Sequence, residues 1–231
     1  MSTEQKLSKH PTLVLVCKRP ALGHGKQRLA AQVGAGSALR IAEHLLDCAL
    51  EDVDDWPGAT VIAPDQPDAC GWAQQQAPQS TCLAQQNGNL GERLNALDRR
   101  LRDSGHHALV FIGSDAPALA PADYQRVRTA LASTDTVLIG ARDGGVTLMA
   151  SNCPWPDLAE LPWSSARLGE ALAALCRRAG HSVEYCGQSF DIDELADLSF
   201  ARQQLAADTR PARRALLALL ALLDTQGVCS A

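Results

Sequence analysis

The feature that most constrains this chain is a regular alternation between short apolar runs and segments whose apolar residues recur at helical spacing. The runs predict strands at 12–17, 59–63, 80–84, 108–113, 136–140, 146–150 and 182–186. The periodic segments predict helices at 38–53, 90–101, 121–131 and 164–178. This alternation is typical of an α/β domain whose mainly parallel sheet is buried on both faces. Ligands are then expected in the loops that follow the strands at 12–17, 108–113 and 136–140.

The length of 231 residues predicts one large domain, since domains contain roughly 150 residues. We expect a flexible segment at 1–11, the domain at 12–207, and a leucine-rich helix and tail at 208–231. Pro211 is suited to begin that helix, whose apolar residues leave almost no polar face. Such a helix must be buried, either against its own domain or in a homodimer interface, and the sequence leaves both open.

Composition and charge argue against several classes of partner. Acidic side chains outnumber basic ones by 26 to 21, the opposite of the basic surplus that nucleic-acid binding needs. The longest apolar run, 215–223, is far shorter than the ~20 residues that span a bilayer. The first residues are polar and do not resemble a secretion signal. We therefore expect a cytoplasmic protein with no nucleic-acid partner and no membrane span.

The eight cysteines are scattered along the chain and do not have the paired spacing of a zinc site. Several of them, including Cys17, Cys48 and Cys176, lie in apolar segments, where a free cysteine acts as a small hydrophobic residue. We expect them to be free structural thiols.

The first candidate site is the glycine-containing basic segment 18–28, called the basic loop below, which follows the first predicted strand. Its charged side chains are Lys18, Arg19, Lys26 and Arg28. Glycines such as Gly23 let backbone N–H groups approach a phosphate, and Lys and Arg add charged donors. The loop is not a P-loop, because Pro20 replaces the first glycine of that motif and Gln27 its Ser or Thr. Alone, it is equally compatible with a solvated basic turn.

Acidic side chains follow three later segments. Asp115 comes directly after the strongest predicted strand, where it would hold a divalent cation or begin a turn before Pro117. Asp143 begins an Asp-Gly-Gly sequence that favours a hairpin turn. Asp191 and Asp193 are spaced to share an ion if the chain is extended there, or one of them caps the next helix.

The order of these motifs resembles a group of bacterial transferases associated with radical-SAM and selenodomain genes, labelled arsenosugar-biosynthesis-type glycosyltransferases. That group belongs to the GT-A-like nucleotide-diphospho-sugar transferase superfamily. More distantly, the chain is similar to phospholactate and molybdenum-cofactor guanylyltransferases. The matching segments are VCKRPALGHGKQRL, GNLGERL, FIGSDAPALAP, the DGG turn, the Trp163-Ser164 helix start and FDIDELADL, in the order expected over about residues 12–200.

The resemblance implies a three-layer α/β/α domain with a mostly parallel mixed sheet that binds a nucleotide-activated donor with Mg²⁺ or Mn²⁺. It places Lys18, Lys26 and Arg28 at the donor phosphates, with Gly23 in the same loop. It makes Asp115 the metal-holding aspartate, joined by Asp191 or Asp193. The segment containing Gly88, Gly91 and Arg93 would border the nucleotide, and Asp143, Gly144 and Gly145 would line the sugar or acceptor pocket.

The chain departs from the family pattern at Gln27 and Glu194, where Thr is usual, and at Asn89, where Asp is usual. Val146 and Thr147 replace an aromatic pair after the DGG turn, which puts the usual small-molecule acceptor in doubt. We expect glycosyl transfer from a nucleotide sugar, with Lys26 stabilising the leaving group and Asp143 as a general base. Nucleotidyl transfer from a nucleoside triphosphate and non-catalytic nucleotide binding remain alternatives.

Overall fold

A computed structural model describes residues 10–227, and most of the expected N-terminal segment and the last residues of the tail lie outside that range. Its strands are β1 (Thr12–Cys17), β2 (Thr60–Pro64), β3 (Thr81–Cys82), β4 (Leu109–Gly113), β5 (Thr136–Ala141), β6 (Val146–Ser151) and β7 (Val183–Ser189). Its helices are α1 (Gln27–Val33), α2 (Ala35–Asp54), α3 (Cys70–Gln76), α4 (Leu90–Asp103), α5 (Pro121–Ala130), α6 (Leu168–Arg178), α7 (Leu195–Gln204) and α8 (Pro211–Thr225).

The strands form one mixed sheet in the order β3-β2-β1-β4-β6-β5-β7. All neighbouring pairs are parallel except those of β6, which runs antiparallel to both β4 and β5. The reversal follows from the Asp-Gly-Gly turn between β5 and β6, where Gly144 has φ +92°. A residue with a side chain rarely adopts that angle, so the glycine permits the tight hairpin predicted from the sequence.

Alternate residues of each central strand point to opposite faces of the sheet, and helices cover both faces. Leu13, Leu15 and Ile112 pack with side chains of α2, α3 and α5 on one face. Val14 and Phe111 pack with side chains of α4 and α6 on the other face. The three-layer α/β/α architecture is therefore confirmed. The edge strand β7 departs from the prediction that every strand is buried on both faces, because most of its residues are exposed or half-buried.

Helix α6 begins at Leu168, four residues later than the helical pattern predicts. Ser164 has φ +60°, a left-handed conformation that an α-helix does not contain. The hydroxyl of Ser165 donates to the carbonyl of Pro162 and the backbone turns there. The residues 164–167 thus form the turn before the helix.

The predicted C-terminal helix is present as α8 and packs along α2 and α7 in a third apolar cluster. Arg213 of α8 is fully buried and pairs with Glu51 and Asp52 of α2. Helix α8 thus packs against its own domain, on helices α2 and α7 rather than on the sheet. None of the helices within residues 10–227 combines the length and apolarity needed to cross a membrane.

The expectation that the cysteines are all free thiols is wrong for one pair. Cys70 and Cys82 form a disulfide, with their Cα atoms 5.9 Å apart. A short 3-10 turn at Pro67–Ala69 leads into α3, and the chain then returns to β3, which brings the two residues together. Cys17, Cys48, Cys153, Cys176 and Cys186 are free, and Cys229 lies outside the described residues.

Candidate functional site

The carboxyl ends of β1 and β4 and the segment after β7 meet at one rim of the sheet. The ammonium of Lys26, from the basic loop, lies 3.1 Å from an oxygen of Asp115 and 2.9 Å from an oxygen of Asp193. It also donates to the carbonyl of Ile192. Three residues from segments far apart in the sequence therefore share one point of contact.

The fold of the basic loop directs Lys26 inward. Gly23 and Gly25 have φ +74° and +80°, and Lys26 itself has φ +48°. The side-chain amide of Gln27 donates to the carbonyl of Gly23 and closes the turn. As a result only 9% of the Lys26 side chain is exposed, although the loop lies at the surface. The glycines supply the left-handed conformations that this turn requires.

The remaining cations of the basic loop differ in how they are satisfied. Arg28 lies 2.6 Å from an oxygen of Asp193 and 2.9 Å from an oxygen of Glu194. Lys18 and Arg19 are exposed at the end of β1, and neither forms an ion pair or hydrogen bond with any residue in 10–227. Of the predicted phosphate-binding residues, Lys26 and Arg28 are therefore paired with carboxylates, whereas Lys18 is exposed and unpaired within residues 10–227.

Backbone contacts hold the acidic segments in register. The carbonyl of Asp115 accepts from the amide of Ile192, which joins the end of β4 to the segment after β7. Asp197 caps α7 by accepting from the amides of Asp193 and Glu194. Because Asp197 performs the capping, the Asp193 carboxylate is free to contact Lys26 and Arg28.

The rim carries more negative charge than its cations neutralise. Burial, together with the nearby Asp143 and Asp193 carboxylates, raises the pKa of Asp191 from 3.8 to about 6, and Lys26 only partly opposes this. Asp143 is exposed in the β5–β6 turn, where it accepts from the amide of Gly145. A site with this imbalance favours an additional cation. We call Asp115, Asp143, Asp191 and Asp193 the acidic rim.

The donor chemistry of the acidic rim fits a hard divalent ion. Carboxylate oxygens are the ligands that Mg²⁺ and Mn²⁺ prefer, and the carboxylates of Asp115 and Asp193 already share the Lys26 ammonium. Within residues 10–227, however, no three acidic, histidine or cysteine side chains are arranged as a preformed metal cluster. The rim thus has suitable ligands, with a lysine between two of them.

The structure accounts for the GNLGERL segment by local packing. A Cβ on Gly91 would lie 2.1 Å from the carbonyl oxygen of Leu158, so only glycine allows this close approach. Gly88 has φ +125°, and Asn89 caps α4 by accepting from the amide of Glu92. Arg93 donates to the side chain of Gln85 at 3.0 Å.

One candidate residue was missed in the sequence. Asp65 follows β2 directly, at the same edge of the sheet, and pairs with His24 of the basic loop at 3.0 Å. Its side chain is only 6% exposed, and its other oxygen, Oδ1, is buried and has no hydrogen-bond partner among residues 10–227. Its position after a strand was the available signal, but a lone Asp next to Pro64 reads equally well as a turn.

Gly144 and Gly145 line a cavity of about 400 Å³ on the α6 side of the hairpin. A Cβ on Gly144 would lie 2.0 Å from the carbonyl oxygen of Ala166, so the hairpin and the turn before α6 are in close contact. The cavity and the acidic rim therefore flank the same β5–β6 turn.

The fold matches several solved structures. A protein from Desulfovibrio desulfuricans G20, provisionally named a nucleotide-diphospho-sugar transferase, has a TM-score of 0.82 and 22% identity, over 94% of this chain and 96% of that one. A manganese complex of Rv0371C from Mycobacterium tuberculosis H37Rv has a TM-score of 0.52 and 16% identity, over 86% and 99%. A 4-diphosphocytidyl-2C-methyl-D-erythritol synthase from Anaerococcus prevotii DSM 20548 has 0.53 and 11%, over 85% and 96%. This chain therefore shares its fold with these proteins.

At the level of sequence, no curated protein is similar enough to count as a relative. A family model, described as "Uncharacterized protein conserved in bacteria", matches residues 46–165. The matched region includes β2 to β6 and the Asp115 and Asp143 loops, and it makes up more than half of the 231 residues. The chain belongs to this family, DUF2064.

Proposed function

We propose that this protein is a metal-dependent transferase that uses a nucleotide-activated donor, most consistently a nucleotide sugar. The observation that carries the proposal is the position of the Lys26 ammonium between Asp115 and Asp193 at the carboxyl edge of the sheet. This edge is where open α/β sheets bind their ligands. The GT-A-like fold, shared with transferases, supports the same conclusion.

The basic loop would bind the donor phosphates. Lys18 and Arg19 have no protein partner in the described part of the chain and are free to meet an anion. Lys26 and Arg28 would exchange carboxylate contacts for phosphate contacts, with charge-assisted hydrogen bonds of similar strength. As negative charge grows on the leaving phosphate, Lys26 stabilises it from a fixed position.

Asp115, with Asp191 or Asp193, would hold Mg²⁺ or Mn²⁺, which when bound supplies charge neutralisation for the leaving phosphate. Asp191 has a raised pKa of about 6 because its surroundings disfavour the ionised carboxylate. A cation bound at the acidic rim would favour the ionised carboxylate of Asp191 and so lower its pKa. Asp143, exposed on the adjacent turn, would accept the proton of an acceptor hydroxyl.

Asp65 would contact the nucleoside. Its unpartnered Oδ1 is a buried acceptor at the end of β2, and such an atom is costly unless a donor reaches it. An N–H or O–H of the bound nucleoside would supply that donor. The nucleotide would also be bordered by Gly88, Gly91 and Arg93, as the resemblance implies.

A second candidate is nucleotidyl transfer, in which a nucleoside triphosphate loses pyrophosphate. The four cations of the basic loop favour it, since they exceed what a diphosphate requires. The order of the motifs favours glycosyl transfer and membership in the radical-SAM- and selenodomain-associated group. We further propose that 12–207 form the catalytic unit and that 208–231 stabilise it through α8.

A thermal-shift screen tests the proposal. Nucleotide sugars and nucleoside triphosphates are added to the protein with and without Mn²⁺, and the melting temperature is recorded. We expect one nucleotide class to raise the melting temperature in a Mn²⁺-dependent manner. A nucleotide sugar that is consumed identifies glycosyl transfer, and pyrophosphate release identifies nucleotidyl transfer.

Asp115→Ala should abolish the Mn²⁺-dependent part of the shift, whereas Asp47→Ala, at an exposed position of α2, should not. Nucleotide binding without metal dependence or turnover would contradict the proposal and indicate a non-catalytic binding protein.

A further inference from the structure

Glycine and alanine make up most of the residues that line the cavity beside α6. Five glycines contribute to its lining, namely Gly140, Gly144, Gly145, Gly169 and Gly187. The ring of Tyr185, which is 43% exposed, forms one side, and its hydroxyl is fixed by donation to the carbonyl of Gly169 at 2.8 Å. At about 400 Å³ the cavity falls within the ~300–1,000 Å³ of small-molecule sites.

Two charged side chains line this cavity without a protein partner. Arg177 and Glu170 lie on α6, and neither side chain forms an ion pair or hydrogen bond with any residue between 10 and 227. Both are close enough to Tyr185 to act on it. Burial raises the pKa of that phenol, which the Arg177 guanidinium lowers and the Glu170 carboxylate raises.

The charges of Arg177 and Glu170 are available to a ligand. A guanidinium is a planar donor that matches a carboxylate or a phosphate, often through two hydrogen bonds. A carboxylate such as Glu170 accepts hydrogen bonds from hydroxyl groups.

The cavity is also adjacent to the proposed chemistry. Gly144 and Gly145 line it, and Asp143, the residue before them, contributes to the negative potential at Asp191. A molecule in the cavity would therefore lie on one side of the β5–β6 turn, with the acidic rim on the other side.

We propose that this cavity is the acceptor subsite and that it binds a small polyhydroxylated molecule with an anionic group, which Arg177 recognises while Glu170 binds its hydroxyls. The assignment of an acceptor rests on the proposed transferase function. The anionic group is a carboxylate or a phosphate, as in a sugar acid or a sugar phosphate.

Selective ¹⁵N-glycine labelling provides the test, because the chain has only 17 glycines and five of them line the cavity. The probes are glucuronate, glucose 6-phosphate, inorganic phosphate and neutral glucose. We expect an anionic sugar to shift the cavity glycine amides at concentrations where glucose does not. A response to glucuronate alone identifies the sugar-acid class, and one to glucose 6-phosphate alone the sugar-phosphate class.

Arg177→Gln should weaken that binding at least about ten-fold, the loss expected for one charged hydrogen-bond donor. Arg178→Gln is the matched control, since Arg178 shares the last turn of α6 but does not line the cavity. The proposal is overturned if neither anionic sugar shifts the cavity glycines more than glucose, or if the two variants bind the probes equally. The proposal is also overturned if inorganic phosphate shifts the cavity glycines as much as the anionic sugars do, because the sugar hydroxyls would then contribute nothing.

The same spectra separate this proposal from the general function. Gly23 and Gly25 lie in the basic loop and report nucleotide binding there. Cavity shifts without any nucleotide-induced shift at Gly23 and Gly25 would refute the transferase proposal and leave an anionic sugar site. Nucleotide shifts without cavity shifts would refute only the acceptor subsite.

Discussion

Two regions of this protein place a basic side chain between two carboxylates, and they differ in how completely the charges are satisfied. In the first, Arg213 of α8 pairs with Glu51 and Asp52 and donates to the carbonyls of Cys48 and Pro117. In the second, Lys26 pairs with Asp115 and Asp193 at the rim. Both join residues that are distant in the sequence, yet only the second remains incomplete.

The Arg213 network is closed. The side chain is fully buried, its donors are used, and Asp52 receives further hydrogen bonds from Tyr124 and Arg210. The Lys26 cluster is open, because Lys26 only partly offsets the effect of burial and of the Asp143 and Asp193 carboxylates on Asp191, and the Asp115 side chain is 45% exposed. A closed network stabilises the fold, whereas an open one retains capacity for a ligand.

The largest effect on stability is expected from the closed network. Arg213→Ala removes the guanidinium from the buried Asp52 and the partly buried Glu51, which should lower the free energy of unfolding by about 3–5 kcal/mol. Arg214→Ala, one residue away and exposed, should change it by less than about 0.5 kcal/mol. Urea denaturation measures both. Equal losses in the two variants would show that Arg213 does not close a network.

In the open cluster, Lys26→Gln should reduce binding more than stability. Loss of one charged donor should weaken nucleotide affinity about 10-fold to 100-fold, measured by calorimetry. Stability should fall less than in Arg213→Ala, since Asp115 and Asp193 are partly exposed to water. Arg40→Gln, on the exposed side of α2, removes the same charge and should bind nucleotide normally. Wild-type affinity in Lys26→Gln would refute the role of the cluster.

A smaller effect, with the opposite sign for stability, is expected from Asp191→Asn. The pKa of Asp191 is raised from 3.8 to about 6, so its ionisation destabilises the folded state. This penalty is absent below pH 3.8, grows as the pH rises, and is complete above about pH 6. Asp191→Asn should therefore be more stable than wild type at pH 7, by about 1–2 kcal/mol after allowance for solvent screening.

Thermal denaturation between pH 4 and pH 8 tests the Asp191 prediction, as the difference from wild type should shrink as the pH falls. Asp193→Asn is the matched variant, because Asp193 contacts both Lys26 and Arg28 and its loss should not stabilise the protein. If both variants stabilise the protein equally, the gain in stability is not specific to the raised pKa of Asp191.

The smallest effect is expected at the outer edge of the open cluster. Arg28 is 64% exposed, so its pairs with Asp193 and Glu194 are screened by water. Arg28→Gln should change the free energy of unfolding by less than about 1 kcal/mol, and 1 M salt should remove most of the difference. A loss of the size expected for Arg213→Ala would make the two regions energetically alike.

The contact between Lys26 and Asp115 was predictable because strong local patterns identified the strands that precede them. The runs at β1 and β4 identified the central strands, and the carboxyl ends of parallel strands necessarily share one edge. Lys26 and Asp115 were therefore expected to meet. Predicting that Asp193 lies at the same site also required the order of the motifs, because an acid before a helix is equally suited to capping it.

Other features had no local signal. Asp65 became a candidate only when its buried, unpartnered oxygen was known. The Cys70–Cys82 pair depends on the path of the chain through α3, which residue spacing does not specify. The closed network around Arg213 was also invisible, since an arginine near a helix start normally reads as solvent-exposed.

We expect the cations of the basic loop and the carboxylates of the acidic rim to bind one metal-nucleotide complex. Anomalous diffraction from a crystal soaked with Mn²⁺ and the nucleotide selected by thermal shift tests it most directly. We predict a manganese peak bonded to Asp115 and to Asp191 or Asp193, with the phosphates beside Lys26. Manganese away from these carboxylates, or a nucleotide bound outside the reach of Lys26, would contradict it.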